Sequence, residues 1–173
     1  AEITPADGAL DDAFGISVAG AGDVDGDGYD DVIVGASGAD DGGSSSGAAY
    51  LYPGSAGGLD TTADTNLPNG EGNGGDRFGY AVGSAGDRDG DGLAEVLVGA
   101  YDDDDAGSGS GAAYLYPGGA KGVVTGAEVK LLASDGATDD GFGLVVARAG
   151  DLNADGVDDL VVGAAGVDDE GTD

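Results

Sequence analysis

The sequence predicts an all-β protein: tandem four-stranded antiparallel blades of the propeller type, arranged as an incomplete propeller or an open repeat array. Three observations lead there. A block beginning Asp-x-Phe-Gly and ending Val-Gly-Ala occurs at Asp12, Asp76 and Asp140, a step of 64 residues each time. A second block, "GAAYLYPG", keeps that step, starting at Gly47 and Gly111. Each unit also divides into short apolar runs separated by Gly, Asp and Ser, with no helical period, which is the pattern of strands and turns. Self-similarity at a fixed period marks a repeat architecture. Four strands per unit suggest one propeller blade.

The elements follow in order. Phe14 to Val18 alternates large and small side chains, as a half-buried strand does. Val32 to Val34 is continuously apolar, as in a strand covered on both faces. Ala48 to Tyr52 is a third strand, closed by Pro53-Gly54. The fourth is read near Ala127 to Leu132, with a poorer counterpart between Leu59 and Leu67. A leading fourth strand is expected at Glu2 to Thr4. The units are therefore 1–11 (partial), 12–75, 76–139 and 140–173 (partial) of one array. Propellers close with roughly 4–8 blades, so a piece of a longer protein or a subunit of an assembly is expected.

Composition narrows the function classes. The chain carries 35 acidic residues against five basic ones, a net charge of −30. Phosphate recognition needs Lys and Arg, so nucleic acid is not an expected partner. Such acidity occurs in disordered chains, but 40% of the residues are hydrophobic and fall in regular blocks. Cys, His, Met and Trp are absent. That removes thiolate metal sites, disulfide scaffolds and the usual general base. Lys121 and Lys130 lie in no catalytic motif, and the chain reads as a non-enzyme. No apolar run is long enough to span a membrane as a helix. The N-terminus has neither a basic nor an apolar leader segment, as in a mature secreted chain.

The acids are placed with a regular spacing. Counting from Asp23, loop positions 1, 3, 5 and 9 are Asp23, Asp25, Asp27 and Asp31. The second copy has Asp87, Asp89, Asp91 and Glu95, and the third Asp151, Asn153, Asp155 and Asp159. Position 6 is Gly28, Gly92 or Gly156, where a sharp turn needs glycine. Position 7 (Tyr29, Leu93, Val157) offers a backbone carbonyl. Alternating hard oxygen donors on a tight loop suit calcium, about three ions in all, better than magnesium with its strict octahedral demand. An EF-hand is excluded: it needs a bidentate Glu at position 12, which here is Val34, Val98 or Val162. Solvated acidic turns without an ion are the alternative, but four like charges in one turn repel strongly.

The run Phe-Gly, "AGD.DGDG..D" and "VGA" resembles the FG-GAP repeat of integrin α-subunit β-propellers and their bacterial relatives. The resemblance covers essentially the whole chain. It implies a four-stranded blade per repeat, a calcium loop between the first two strands with the ligands just named, and seven blades in a closed propeller. The Pro of "GAP" is missing here, the copies reading Gly35-Ala36-Ser37, Gly99-Ala100-Tyr101 and Gly163-Ala164-Ala165.

Phe14, Phe78 and Phe142 are expected in the core between blades, each following Gly permitting close packing. The pairs Tyr50/Tyr52 and Tyr114/Tyr116 read as packing aromatics, with stacking on a sugar as the alternative. The loops Ser37 to Gly47 and Tyr101 to Gly111 read as solvated surface, with a second cation site or a contact loop as the alternative. Ser44, Ser45 and Ser46 are candidate O-glycosylation positions. The resemblance implies an extracellular or cell-surface recognition or adhesion module for a protein or carbohydrate ligand. The alternative is a structural subunit that assembles end to end, as a homo-oligomer or fibre, through open strand edges.

Overall fold

A computed structural model describes residues 2–4, 12–62, 65–68, 73–134 and 136–166. Ten strands and no helix occur among them. The first four-stranded antiparallel sheet runs β1 (Phe14–Gly22), β2 (Asp31–Ala36), β3 (Ala48–Tyr52) and β4 (Thr65–Pro68), paired in that order. The second repeats it with β5 (Ala81–Gly86), β6 (Glu95–Ala100), β7 (Ala112–Tyr116) and β8 (Val129–Leu132). A two-stranded sheet pairs β9 (Val145–Gly150) with β10 (Asp159–Gly163). Each sheet is a blade, and the described residues form an open array rather than a closed ring. Residues 2–4 join no ladder; Ile3 instead packs against the cluster of Val34, Tyr50 and Tyr52, and the Tyr52 hydroxyl reaches the Thr4 carbonyl at 3.5 Å.

The apolar periodicity explains the layering. Alternate residues of a strand face opposite ways, so each blade has one side toward the preceding blade and one toward the next. Ile33, Ala49, Leu51 and Leu67 of the first blade meet Val82, Val96, Val98, Tyr114 and Tyr116 of the second in one buried cluster. Leu97 and Ala113, on the other side of the second blade, pack with Val146, Leu160 and Val162 of the third. β6 is buried at every residue, as its unbroken apolar run requires. Phe78 is fully buried, at 5.4 Å from the Tyr114 ring and 6.1 Å from Tyr116, edge-on to both. Phe14 stands in the same relation to Tyr50 and Tyr52. The tyrosine pairs are therefore packing residues, and none of the four presents a face to solvent.

The glycines of the repeat meet one another across the blades. A Cβ on Gly35 would lie 1.9 Å from the Gly79 carbonyl oxygen, and one on Gly99 the same distance from that of Gly143. Gly79 and Gly143 take φ of 81° and 94° and pass equally close to the carbonyls of Ala48 and Ala112. So the Gly after Phe and the Gly of Val-Gly-Ala form one contact, each supplied by a different blade.

The 37–47 and 101–111 loops differ from the solvated surface expected of them. Their acidic stretches are mostly exposed, but their Ser-rich ends lie against the next blade. Phe78 N–H donates to the Ser46 carbonyl at 3.0 Å, and Phe142 N–H to that of Ser110 at 2.9 Å. Gly75 and Asp139 N–H groups do the same with Ser44 and Ser108. Composition suggests solvation here because Gly and Ser are polar and small; their backbone groups nonetheless need partners where blades meet. The second loop also buries Asp103, which accepts from the Tyr114 hydroxyl at 2.8 Å and pairs with Lys130 at 3.0 Å.

The glycine contact makes a sharp test. Gly99→Ala should destabilise the fold by about 3 kcal/mol, because a backbone oxygen cannot rotate away. Gly163→Ala, at the equivalent place on the third blade, meets only Val145 at 3.5 Å or beyond and should change stability by less than about 0.5 kcal/mol. Denaturant unfolding of both variants measures the difference.

Candidate metal centre

The loop between the first two strands of each blade is folded by its own carboxylates. Asp23 Oδ1 and Oδ2 accept from the N–H groups of Gly26 at 2.7 Å and Gly28 at 3.0 Å. Asp25 accepts from Asp27 N–H at 3.0 Å, and Asp27 from Tyr29 N–H at 2.9 Å. The second loop repeats all four bonds with Asp87, Asp89 and Asp91. Each acid thus turns the backbone two to five residues ahead of it, and Gly28 and Gly92 supply the φ near 90° that completes the turn. The side chains are held on the concave side, and one oxygen from each of Asp23, Asp25 and Asp27 lies within 4.8 Å of the others. Asp87, Asp89 and Asp91 converge equally.

The third loop differs at positions 3 and 4, Asn153 and Ala154, and Asp151 Oδ1 accepts from Asp155 N–H at 3.1 Å instead of from position 4. Asp151 accepts from Gly156 N–H at 2.9 Å, and Asp155 from Val157 N–H at 2.8 Å. Asn153 donates its amide to Asp155 at 2.9 Å. Hydrogen bonds from Val157 and Asn153, helped by the Arg88 charge, hold the Asp155 carboxyl below its ordinary range.

Position 9 is placed apart from these clusters. Asp31 is buried, its Oδ2 accepting from Val24 N–H at 2.9 Å and its Oδ1 from Gly54 N–H at 2.8 Å. Glu95 accepts from Arg88 N–H at 2.5 Å, and Asp159 from Leu152 N–H at 2.8 Å. The position-9 acid therefore clamps the start of the loop to the start of the second strand, and in the first blade also to the turn after β3. Burial pushes the Asp31 and Glu95 carboxyls up, and the neighbouring loop aspartates push the same way. Each carboxylate oxygen has two lone pairs, so one per oxygen remains for a further partner. Position 7 contributes its N–H to position 5 in all three loops.

The donors fit a hard divalent cation. Two carboxylates about 4 Å apart repel by about 1 kcal/mol in bulk water and about 4 kcal/mol in the lower dielectric of a protein surface. Three of them turned to one point by backbone hydrogen bonds are an arrangement whose repulsion a cation would relieve. The sequence missed Asp12, Asp76 and Asp140, which are buried just before each Phe-Gly. Their recurrence at the repeat step was the available signal.

A row of antiparallel blades carrying acidic loops between first and second strands defines a propeller-type repeat protein. Comparison with protein families gives the same class: residues 14–52 and 64–116 each match an FG-GAP repeat. The chain belongs to the FG-GAP repeat family. It is similar to integrin alpha pat-2 of Caenorhabditis briggsae, 42% identical over 90 residues that cover 51% of this chain and 7% of the relative. Integrin alpha-E of Mus musculus is 37% identical over 55% of this chain and 8% of its own length. Integrin alpha-2 of Mus musculus is 35% identical over 69% and 10%. The chain thus spans a tenth or less of the length of these relatives.

The position-9 acid and the triad acids differ in what they hold in chelator. Asp31→Ala should lower metal-free stability by about 1–3 kcal/mol, since it strands two backbone N–H groups. Asp25→Ala loses one exposed bond and relieves repulsion, so metal-free stability should move by less than about 0.5 kcal/mol. Chemical denaturation in chelator reads both.

Proposed function

We propose that this chain is a calcium-binding recognition or adhesion module of the extracellular space, without catalytic activity of its own. The observation that carries the reading is the carboxylate triad, formed in the first two loops by the same four hydrogen bonds. In this reading Asp23, Asp25 and Asp27, the Tyr29 carbonyl and Asp31 hold one ion. Asp87, Asp89, Asp91, Leu93 and Glu95 hold a second, and Asp151, Asn153, Asp155, Val157 and Asp159 a third. Calcium neutralises a loop that otherwise repels itself, and so stiffens the turn that sets the first two strands of each blade. The blades then present the loops at their rims to a protein or carbohydrate ligand. Millimolar calcium outside cells fills sites even of modest affinity. Similarity to integrin alpha chains supports the adhesion class, and the acidic surface disfavours nucleic acid.

A second reading is assembly between copies of the chain. It is favoured by the exposed apolar residues Ile16 and Val18 of the first blade and Val145 and Val161 of the third.

The calcium reading is tested by thermal unfolding. Each filled site should add about 2.7 kcal/mol when calcium exceeds the Kd a hundred-fold, raising Tm by several degrees over the chelated protein. Asp27→Ala should remove one site's share. Asn153→Asp, which adds a charged ligand, should tighten calcium at the third loop on the order of ten-fold in a calorimetric titration. Equal melting with calcium and chelator would sink the proposal.

A further inference from the structure

Position 2 of an acidic loop reaches into the next blade, and the two blade junctions of the chain differ there. At the first junction it is Val24, fully buried in an apolar socket with Val96 and Val123 of the second blade. Position 8 of the second loop, on the facing side, is Ala94. Its N–H donates to the Asp23 carbonyl at 2.8 Å, and a Cβ on Gly22 would lie 2.8 Å from its methyl. At the second junction position 2 is Arg88 and position 8 is Asp158. The Arg88 guanidinium donates to the Asp158 carbonyl at 2.7 Å, and the Asp158 carboxylate pairs with Arg148 of β9. Gly86 makes room for that pair as Gly22 does for Ala94, since a Cβ on Gly86 would lie 2.7 Å from Asp158 Oδ2. A charged joint thus stands where the first junction has an apolar one.

The charges at this joint do not cancel. Arg148 neutralises the Asp158 carboxylate, whereas Arg88 binds a carbonyl, so its positive charge is left to act on the loop beside it. Only five residues of the chain are basic. Two of them meet at the loop with one acid fewer, where Asn153 stands in place of an aspartate. The effect reaches the loop acids. In the first two loops burial pushes the Asp31 and Glu95 carboxyls up, and aspartates of the same loop push them further. In the third, hydrogen bonds from Val157 and Asn153 hold Asp155 down, and the Arg88 charge adds to them. Arg88 is also held in place: it is half-buried, and its own N–H donates to Glu95 at 2.5 Å.

We infer that Arg88, a residue of the second loop, is a fixed counter-ion of the third, relieving carboxylate repulsion there without metal and lowering that loop's affinity for calcium. This rests on the calcium reading above and grades its three sites. A cation is favoured where acids repel one another. Where an arginine already relieves part of that repulsion, less remains for the ion to relieve, and the arginine repels the ion itself. No ion pair between described residues involves the acids of the first loop. The first loop therefore fills early as calcium rises, and the third fills last. Arg88 sets this order from a neighbouring blade, at the place where Val24 leaves the first junction neutral.

Calorimetric titration of calcium into the 173-residue chain tests this. The background is Asp25→Ala with Asp89→Ala, which leaves the third loop as the site with its own donors intact. There Arg88→Gln should tighten calcium by on the order of three- to ten-fold at low salt. The gain should shrink in molar salt, where charges are screened beyond about 3 Å. Arg88→Val, which carries the residue of the first junction, is a second neutral variant and should act alike. Arg88→Lys keeps the charge and should leave the affinity near that of the background, a difference that a merely structural role would not produce. Cooperative unfolding in denaturant checks that each variant folds. Neutral variants that bind calcium no tighter than Arg88 or Arg88→Lys overturn the counter-ion. Absence of calcium heat in this background, whatever stands at 88, overturns it as well, but leaves the calcium reading standing if the unsubstituted protein binds two ions. An unsubstituted protein that binds none overturns both.

Discussion

The contact on which the array depends is backbone against backbone. Gly79 presses its carbonyl on the Cα of Gly35, and Gly143 does the same to Gly99, at separations no side chain allows. Everything beside it follows from that approach. With the inner strands so close, small residues such as Ala19, Ala21, Ala81 and Ala85 fill the space nearby. The large ones, Phe78, Tyr114 and Tyr116, are buried and pack edge-on, Phe78 against both tyrosines. The two glycines of the repeat are thus two halves of one joint, and each blade contributes the half its neighbour lacks.

The acidic loops are joined to this packing. Val24 is both the second residue of a loop and a core residue of the next blade. A loop spread by the mutual repulsion of Asp23, Asp25 and Asp27 would draw Val24 from its socket. The acidic loop and the blade packing therefore share residues, and the buried carboxylate of Asp31 ties them together through the Val24 N–H.

The repeats are alike in backbone and differ where they face solvent or a neighbour. Ala39 and Asn66 of the first unit become Asp103 and Lys130 in the second, which form an ion pair, whereas Asn66 donates its amide to Asp41. Position 2 reads Val24, Arg88 and Leu152. Val24 fills a closed socket, while the Arg88 guanidinium donates to the Asp158 carbonyl at 2.7 Å. One scaffold tolerates these exchanges because its joints are made by main chain and glycine.

By itself the sequence determined the blade, its strands and its loops. A period of 64 residues, alternating apolar runs and aspartates at every second position are local patterns, and strand pairing within a blade joins neighbours along the chain. It also determined which acids could share an ion, because a tight loop leaves such residues nowhere else to point. The tertiary structure alone decided what lies between blades. No local pattern told that position 9 clamps two backbone N–H groups in the first blade, that the Ser-rich loop ends are interfaces, or that Val24 belongs to the core of the next unit. Apart from the Asp31–Val24 bond, these join residues tens of positions apart in sequence, and the contacts between blades are chosen by how one sheet stacks on another rather than by the periodicity of either.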